Sequence, residues 1–197
     1  MGHTDPGTPR LLGGPLGGYP DPVRAVAFAP GSPVLATAGC GNAVRLSNVA
    51  DPADPRILGE ALGGHSGRVW SLAVAPDVPI LASAADRRVV ALWDITTPAA
   101  ARLVSPLPRL DDPVLALRFS PDGRTLATAG KDGKVCLWDV TDASSPHLLG
   151  VPLTVHMGRV WSVAFSADGR TLAASGPKNL VLLWDVADRA SPARLPC

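Results

Sequence analysis

No apolar run in this sequence approaches the ~18 residues that a membrane-crossing helix needs, so nothing in it reads as a transmembrane span. Its opening, Met1–Arg10, has no apolar stretch and does not read as a signal peptide. Charge of one sign is also missing. Lys and Arg number 18 against 17 Asp and Glu, a net charge of +1. That balance argues against a protein whose main task is to grip a phosphate backbone, so neither nucleic acid nor membrane is expected as a partner. Cysteine is scarce: Cys40, Cys136 and Cys197 are scattered and odd in number. This fits a reduced, cytoplasmic protein better than a disulfide framework. No stretch carries the apolar period of a helix.

What is present is a large apolar fraction. Hydrophobic residues make up 46% of the 197, which excludes a disordered chain. A chain of this length can bury roughly 70% of its unfolded surface. Gly and Pro number 20 and 21, which favours many short strands and turns. The chain also repeats itself. Val23, Val69, Val114 and Val160 recur at intervals of 46, 45 and 46 residues, and Leu46, Leu92, Leu137 and Leu183 keep the same spacing. Two independent anchors with one period signal a solenoid, a propeller or an array. The repeats fall at about 9–50, 56–95, 102–140 and 147–186, and 187–197 reads as the incomplete start of a further one.

Each unit reads as four short strands joined by hairpins. "VWSVAFS" alternates in the period of a strand. Asp122-Gly123 and Asp168-Gly169 follow, a pair suited to tight hairpins in which both central residues accept positive φ. "TLATAG" and "TLAASG" are near-continuous apolar runs, the pattern of a strand buried on both faces. "KVCLWDV" and "LVLLWDV" come next. Pro-rich stretches such as "DPADPRILGEAL" then supply a surface loop and an edge strand, where proline is tolerated.

Trp93-Asp94, Trp138-Asp139 and Trp184-Asp185 close three units, each pair preceded by Leu, and Gly64-His65 opens one. With these residues the chain resembles the WD-repeat family, in its bacterial form, over nearly its whole length. The resemblance implies an all-β fold: a β-propeller of four-stranded antiparallel blades. Four blades per chain would be half of an eight-bladed ring or part of a larger propeller. It also implies structural roles for His65, Ser83, Trp93 and Asp94, for Thr128, Asp132, Trp138 and Asp139, and for His156, Trp184 and Asp185. In the family a His, a Ser or Thr, an Asp and the Trp form a buried hydrogen-bond chain, costly when half satisfied. No copy here has all four. Asp86 is one position out of register, Leu110 replaces the His of the third unit, and Ala174 and Lys178 replace two members in the fourth. The first has Tyr19 at the His position and ends in Ser47-Asn48. Blade stability is therefore expected to come mainly from apolar burial and sheet pairing.

Chemistry-bearing motifs are sparse. There is no HExxH, no Cys-x-x-Cys and no His/Cys pair at zinc spacing, so no metal and no cofactor is expected. His65 and His156 stand at the structural His position and are read as such rather than as ligands. Asp111-Asp112 reads as a solvated turn, since strand geometry would point adjacent carboxylates apart. "GCGN" from Gly39 opens no helix and fails as a dinucleotide site. Cys40 reads as a turn residue and Cys136 as an inert core residue. The chain is thus expected not to be an enzyme.

The residues after the anchor valines carry more information. The resemblance puts them near the mouth of the central channel, where many family members meet partners. Arg24, Trp70, Leu115 and Trp161 stand there, with Arg68 and Arg159 just before two of the valines. Trp and Arg are the usual anchors of an interface centre, which makes these six residues the candidate protein-binding face. Trp70 and Trp161 are equally suited to packing between blades. The expected function is a non-catalytic protein-interaction scaffold. The alternatives are a self-assembling half-propeller whose main partner is itself, or a regulatory or sensor fragment of a larger signalling protein. A homodimer would complete the ring: in this family a blade's outer strand comes from the start of the next repeat, and the segment from about Pro9 to Leu16 reads as an outer strand with no blade before it.

Overall fold

The computed structural model describes residues 11–17, 19, 21–108, 110–154, 158–177 and 180–195. They form four antiparallel sheets of four strands, each following chain order. Blade 1 is β1 (Val23–Phe28), β2 (Val34–Gly39), β3 (Val44–Asn48) and β4 (Arg56–Leu62). Blade 2 is β5 (Val69–Val74), β6 (Ile80–Ala85), β7 (Val89–Asp94) and β8 (Arg102–Pro106). Blade 3 is β9 (Val114–Phe119), β10 (Thr125–Gly130), β11 (Lys134–Asp139) and β12 (His147–Thr154). Blade 4 is β13 (Ser162–Phe165), β14 (Thr171–Ser175), β15 (Val181–Asp185) and the two-residue β16 (Ala193–Arg194). Among the described residues the one helical piece is a 3-10 turn at Pro98–Ala100. The fold is the all-β array of four-stranded blades that the repeat predicts.

The first strand of each blade touches the first strand of the next, β1 with β5, β5 with β9 and β9 with β13. The four therefore line the inside of an arc. Side chains alternate across a strand, and here alternate residues serve two different neighbours. On β7, Ala91 and Trp93 face blade 1 while Val90 and Leu92 face blade 3. Three buried apolar clusters result, one for each seam between blades. The first joins Val44 and Leu46 to Val69 and Leu72. The second joins Val90 and Leu92 to Val114 and Leu117. The third joins Val135 and Leu137 to Val160 and Val163. The second strands are the middle of this packing, and β10 is buried along its whole length.

Two local expectations are corrected. The loop through Asp122-Gly123 is not a two-residue hairpin: five residues separate β9 from β10, and only Gly123 has positive φ. Asp122 instead accepts from the Ser120 hydroxyl and the Arg124 amide, which holds the turn without left-handed backbone at the Asp. Asp168 does the same with Ser166 and Arg170. The second correction concerns the segment expected to be an outer strand from Pro9 to Leu16. Residues 11–17 form no strand, and residues 9 and 10 lie outside the described ones. The segment nevertheless follows the path of an outer strand. A methyl group added at Gly13 would fall 2.5 Å from the Pro52 carbonyl oxygen, as one at Gly59 would fall 2.3 Å from that of Ala99 and one at Gly150 2.3 Å from that of Ala190.

Candidate protein-binding face

Each of the first three inner strands opens with a β-bulge. Val23 pairs with Gly39 and Ala25 with Ala38, which leaves Arg24 as the extra residue. Trp70 is extra between Val69 and Ser71, and Leu115 between Val114 and Ala116. A bulge removes its residue from the in-out alternation and re-aims the side chain. Arg24, Trp70 and Leu115 thus leave the alternation, while Val69 and Val114 before two of them stay in seams.

Trp70 is tied down on three sides. Its indole Nε1 donates to Asp86 Oδ1 at 2.7 Å. The Arg24 guanidinium lies 4.9 Å from its ring centroid and Lys131 Nζ 5.6 Å away. Asp86 also accepts from the Arg68 backbone amide at 3.2 Å. The cations come from blades 1 and 3, so one indole joins three blades. Trp161 holds the equivalent place in blade 4 and behaves differently. It is 52% exposed, and Arg159 covers its ring at 5.6 Å. The residue equivalent to Asp86, sixteen positions on, is Pro177, whose side chain offers no acceptor. Leu115 is a correction to the expected face: it is 8% exposed and buried, so it adds packing and no contact surface. The structure thus brings Arg24, Trp70 and Asp86 together, and sets Arg159 beside Trp161. Asp86 was missed as part of this group. The signal was the sixteen-residue spacing that also links Arg24 to Cys40, whose Sγ accepts from Arg24 Nε at 3.3 Å.

Beneath the face lies a set of buried polar pairs. In blade 2, His65 Nε2 and Trp93 Nε1 both meet Ser83 Oγ at 2.7 Å, and the His and Trp rings meet edge to face. Burial pushes the His65 pKa below its ordinary value, and its Nδ1 has no partner. In blade 3, Trp138 Nε1 donates to Thr128 Oγ1 at 3.0 Å. Asp132 does not join them; it accepts from the Lys134 amide. In blade 4, Ala174 stands at the hydroxyl position and the buried Trp184 Nε1 has no partner. His156 lies outside the described residues. In blade 1, the Tyr19 hydroxyl meets Thr37 Oγ1 at 2.7 Å, and the buried Ser47 hydroxyl is unpartnered.

After the third strand of each blade a carboxylate or amide closes a turn. Asn48, Asp94, Asp139 and Asp185 each accept from the backbone amide two residues on, at 2.8–2.9 Å. Hydrogen bonds from Thr96 hold the Asp94 carboxyl below its usual range, with a lesser contribution from Arg102. A Trp aimed at a hydroxyl on the second strand and an Asp closing the following turn, recurring at one period, form a family pattern. The family model described as WD domain, G-beta repeat matches residues 12–46, 57–94, 105–139 and 148–185. The chain belongs to the WD-repeat family. Comparison with curated proteins returns no match. WD repeats generally serve as scaffolds for contact between proteins. In this WD-repeat chain a cavity of about 450 Å³ is lined by the ends of the first strands, Phe28, Phe119 and Phe165 among them, with Arg118 its one charged lining residue. Among the described residues no three His, Cys, Asp or Glu side chains converge. Cys136 is half-buried, and desolvation pushes its thiol pKa up to about 11, so it carries little thiolate at neutral pH. Asp111 is exposed, within 3.9 Å of Lys134.

Proposed function

We propose that this protein is a non-catalytic scaffold that binds another protein at the channel mouth, through Trp161 and Arg159 of blade 4 and through Arg24, Arg68 and Trp70 at the corresponding places of blades 1 and 2. The observation that carries the reading is the contrast between the two tryptophans. Trp70 has its ring nitrogen paired and its faces covered by cations. Trp161 presents half of a large apolar ring to solvent under a single arginine. An exposed Trp-Arg pair is the composition from which interface hot spots are made. The near-neutral charge and the lack of a nucleophile, a paired acid or a phosphate loop favour a protein partner over nucleic acid, a membrane or a small substrate. The protein acts without metal or cofactor, in the cytoplasm.

The test is capture of a partner by the wild-type chain, followed by affinity measurement with variants. Trp161→Ala should weaken binding by about 2 kcal/mol, roughly thirtyfold, with an unchanged melting temperature. Arg56→Ala, in the exposed ion pair with Asp54 on the outer strand, should bind as wild type. A partner whose affinity ignores Trp161→Ala would remove the channel mouth as its site.

A further inference from the structure

The blade repeat supplies its own control for what a covered blade face looks like, and two faces of this chain lack their cover. On the leading side of the array, Val26 is 64% exposed, where its equivalents Leu72, Leu117 and Val163 are 3%, 1% and 2%. Val23 is likewise exposed, and its three equivalents are buried. On the trailing side, Val181 is 60% exposed, where Val44, Val90 and Val135 are all 0%. Leu183 is exposed, and Leu46, Leu92 and Leu137 are buried. These are the residues that build the three seams already described. Each seam sets a trailing pair of the Val44 and Leu46 kind against a leading pair of the Val69 and Leu72 kind. The two open faces are the two halves of a fourth such seam.

The geometry points to a second copy of this chain as the occupant of both faces. Val181 and Leu183 of one copy pack on Val23 and Val26 of the other, and the reverse contact forms at the far side. Propellers run from four to eight blades, and the four blades of this chain with four of a second copy fall within that range. One chain closing alone would bury both faces, and here they remain open. Two chains make a ring of eight blades with two-fold symmetry, and the contact cannot propagate beyond two. A second observation supports the leading face as a receiving surface. Gly13 lies against Pro52 as Gly59 lies against Ala99 and Gly150 against Ala190. Residues 13–16 thus follow the path of an outer strand belonging to a blade ahead of blade 1. In the ring that blade is the second copy's blade 4, whose β15 is paired along its inner edge by β14 and, among the described residues, along its outer edge only from Leu183 to Asp185, which leaves the outer edge at Val181 open. Leu16 then comes opposite Val181, the register that Leu62 and Leu153 take with Val44 and Val135.

Light scattering on the 197-residue chain at micromolar concentration should report twice the 20.3 kDa of one chain. Val26→Glu and Leu183→Lys change residues that are exposed in one chain, so each should keep the wild-type circular dichroism and run at single-chain mass. Each alone places its charge in both seams of a homodimer. Mixed one to one, they form one seam in which the introduced carboxylate faces the introduced ammonium, and one wild-type seam. The two-chain mass should then return, at an affinity at least about tenfold above either variant alone. A wild-type mass of one chain overturns the inference, as does a mass that climbs past two with concentration. So does a Val26→Glu variant that stays two-chain, or a mixture that fails to reassociate.

Discussion

Replacing Ser83 by Ala tests how much the partial polar chain in blade 2 holds the fold. One hydroxyl serves two buried ring nitrogens, Trp93 Nε1 and His65 Nε2, each at 2.7 Å. Neither ring is open enough for water to replace it, since both residues are buried. Each orphaned buried group costs about 1–3 kcal/mol, so the loss should be about 2–5 kcal/mol, reduced slightly because the hydroxyl no longer has to be desolvated. For a chain of this size that is a fall of about 5–15 °C in melting temperature. Ser83→Thr should lose far less, because Thr128 already serves Trp138 at 3.0 Å. The converse is available in blade 4, where Ala174 leaves the buried Trp184 Nε1 without a partner. Ala174→Ser should raise stability by about 1–2 kcal/mol. The assay is thermal and urea unfolding of the wild type and the three variants at one fixed concentration, because association adds to apparent stability. A Ser83→Ala loss below about 1 kcal/mol together with no gain from Ala174→Ser would mean that blade stability rests on the apolar seams alone.

Trp70→Ala should cost about 3–5 kcal/mol, because it empties a site between three blades and strands Asp86, while Trp161→Ala should cost under about 1 kcal/mol; melting curves of the two separate them. His65 titrates below its ordinary value because it is buried. The unfolded chain therefore takes up the proton first, and this stabilisation is present above about pH 6.5 and lost as pH falls through that region. The melting temperature of wild type should fall more between pH 7 and 5 than that of His65→Gln, and equal slopes would contradict it. Gly59→Ala puts a methyl group 2.3 Å from the Ala99 carbonyl oxygen at φ +62°, and should lose more than about 2 kcal/mol in urea unfolding.

The repeat, the four-strand unit and the all-β class were legible because apolar alternation and the Trp-Asp pairs recur at one period. The uneven polar chains were legible for the same reason: Ala174 and Asp86 could be read as departures by position alone. The bulges at Arg24, Trp70 and Leu115 were not. A bulge is a property of the register between two strands, and alternation along one strand does not encode it. Hence Leu115 was expected on the face and is buried, and the partnership of Trp70 with Asp86 was missed. The two open faces were hidden for a further reason. Val26 and Val181 carry the same residue type as buried equivalents such as Val163 and Val44, and only the arrangement of whole blades decides which valine meets a neighbour.

A crystal structure of the protein in its solution assembly, with the exposure of Val26 and Val181 read from it, tests the two-chain ring most directly. The expected result is a closed ring of two chains in which both fall to the few per cent seen at Leu72 and Val90. An assembly in which Val26 and Val181 remain in solvent, or are covered by anything other than the facing blade of a second copy, would contradict it.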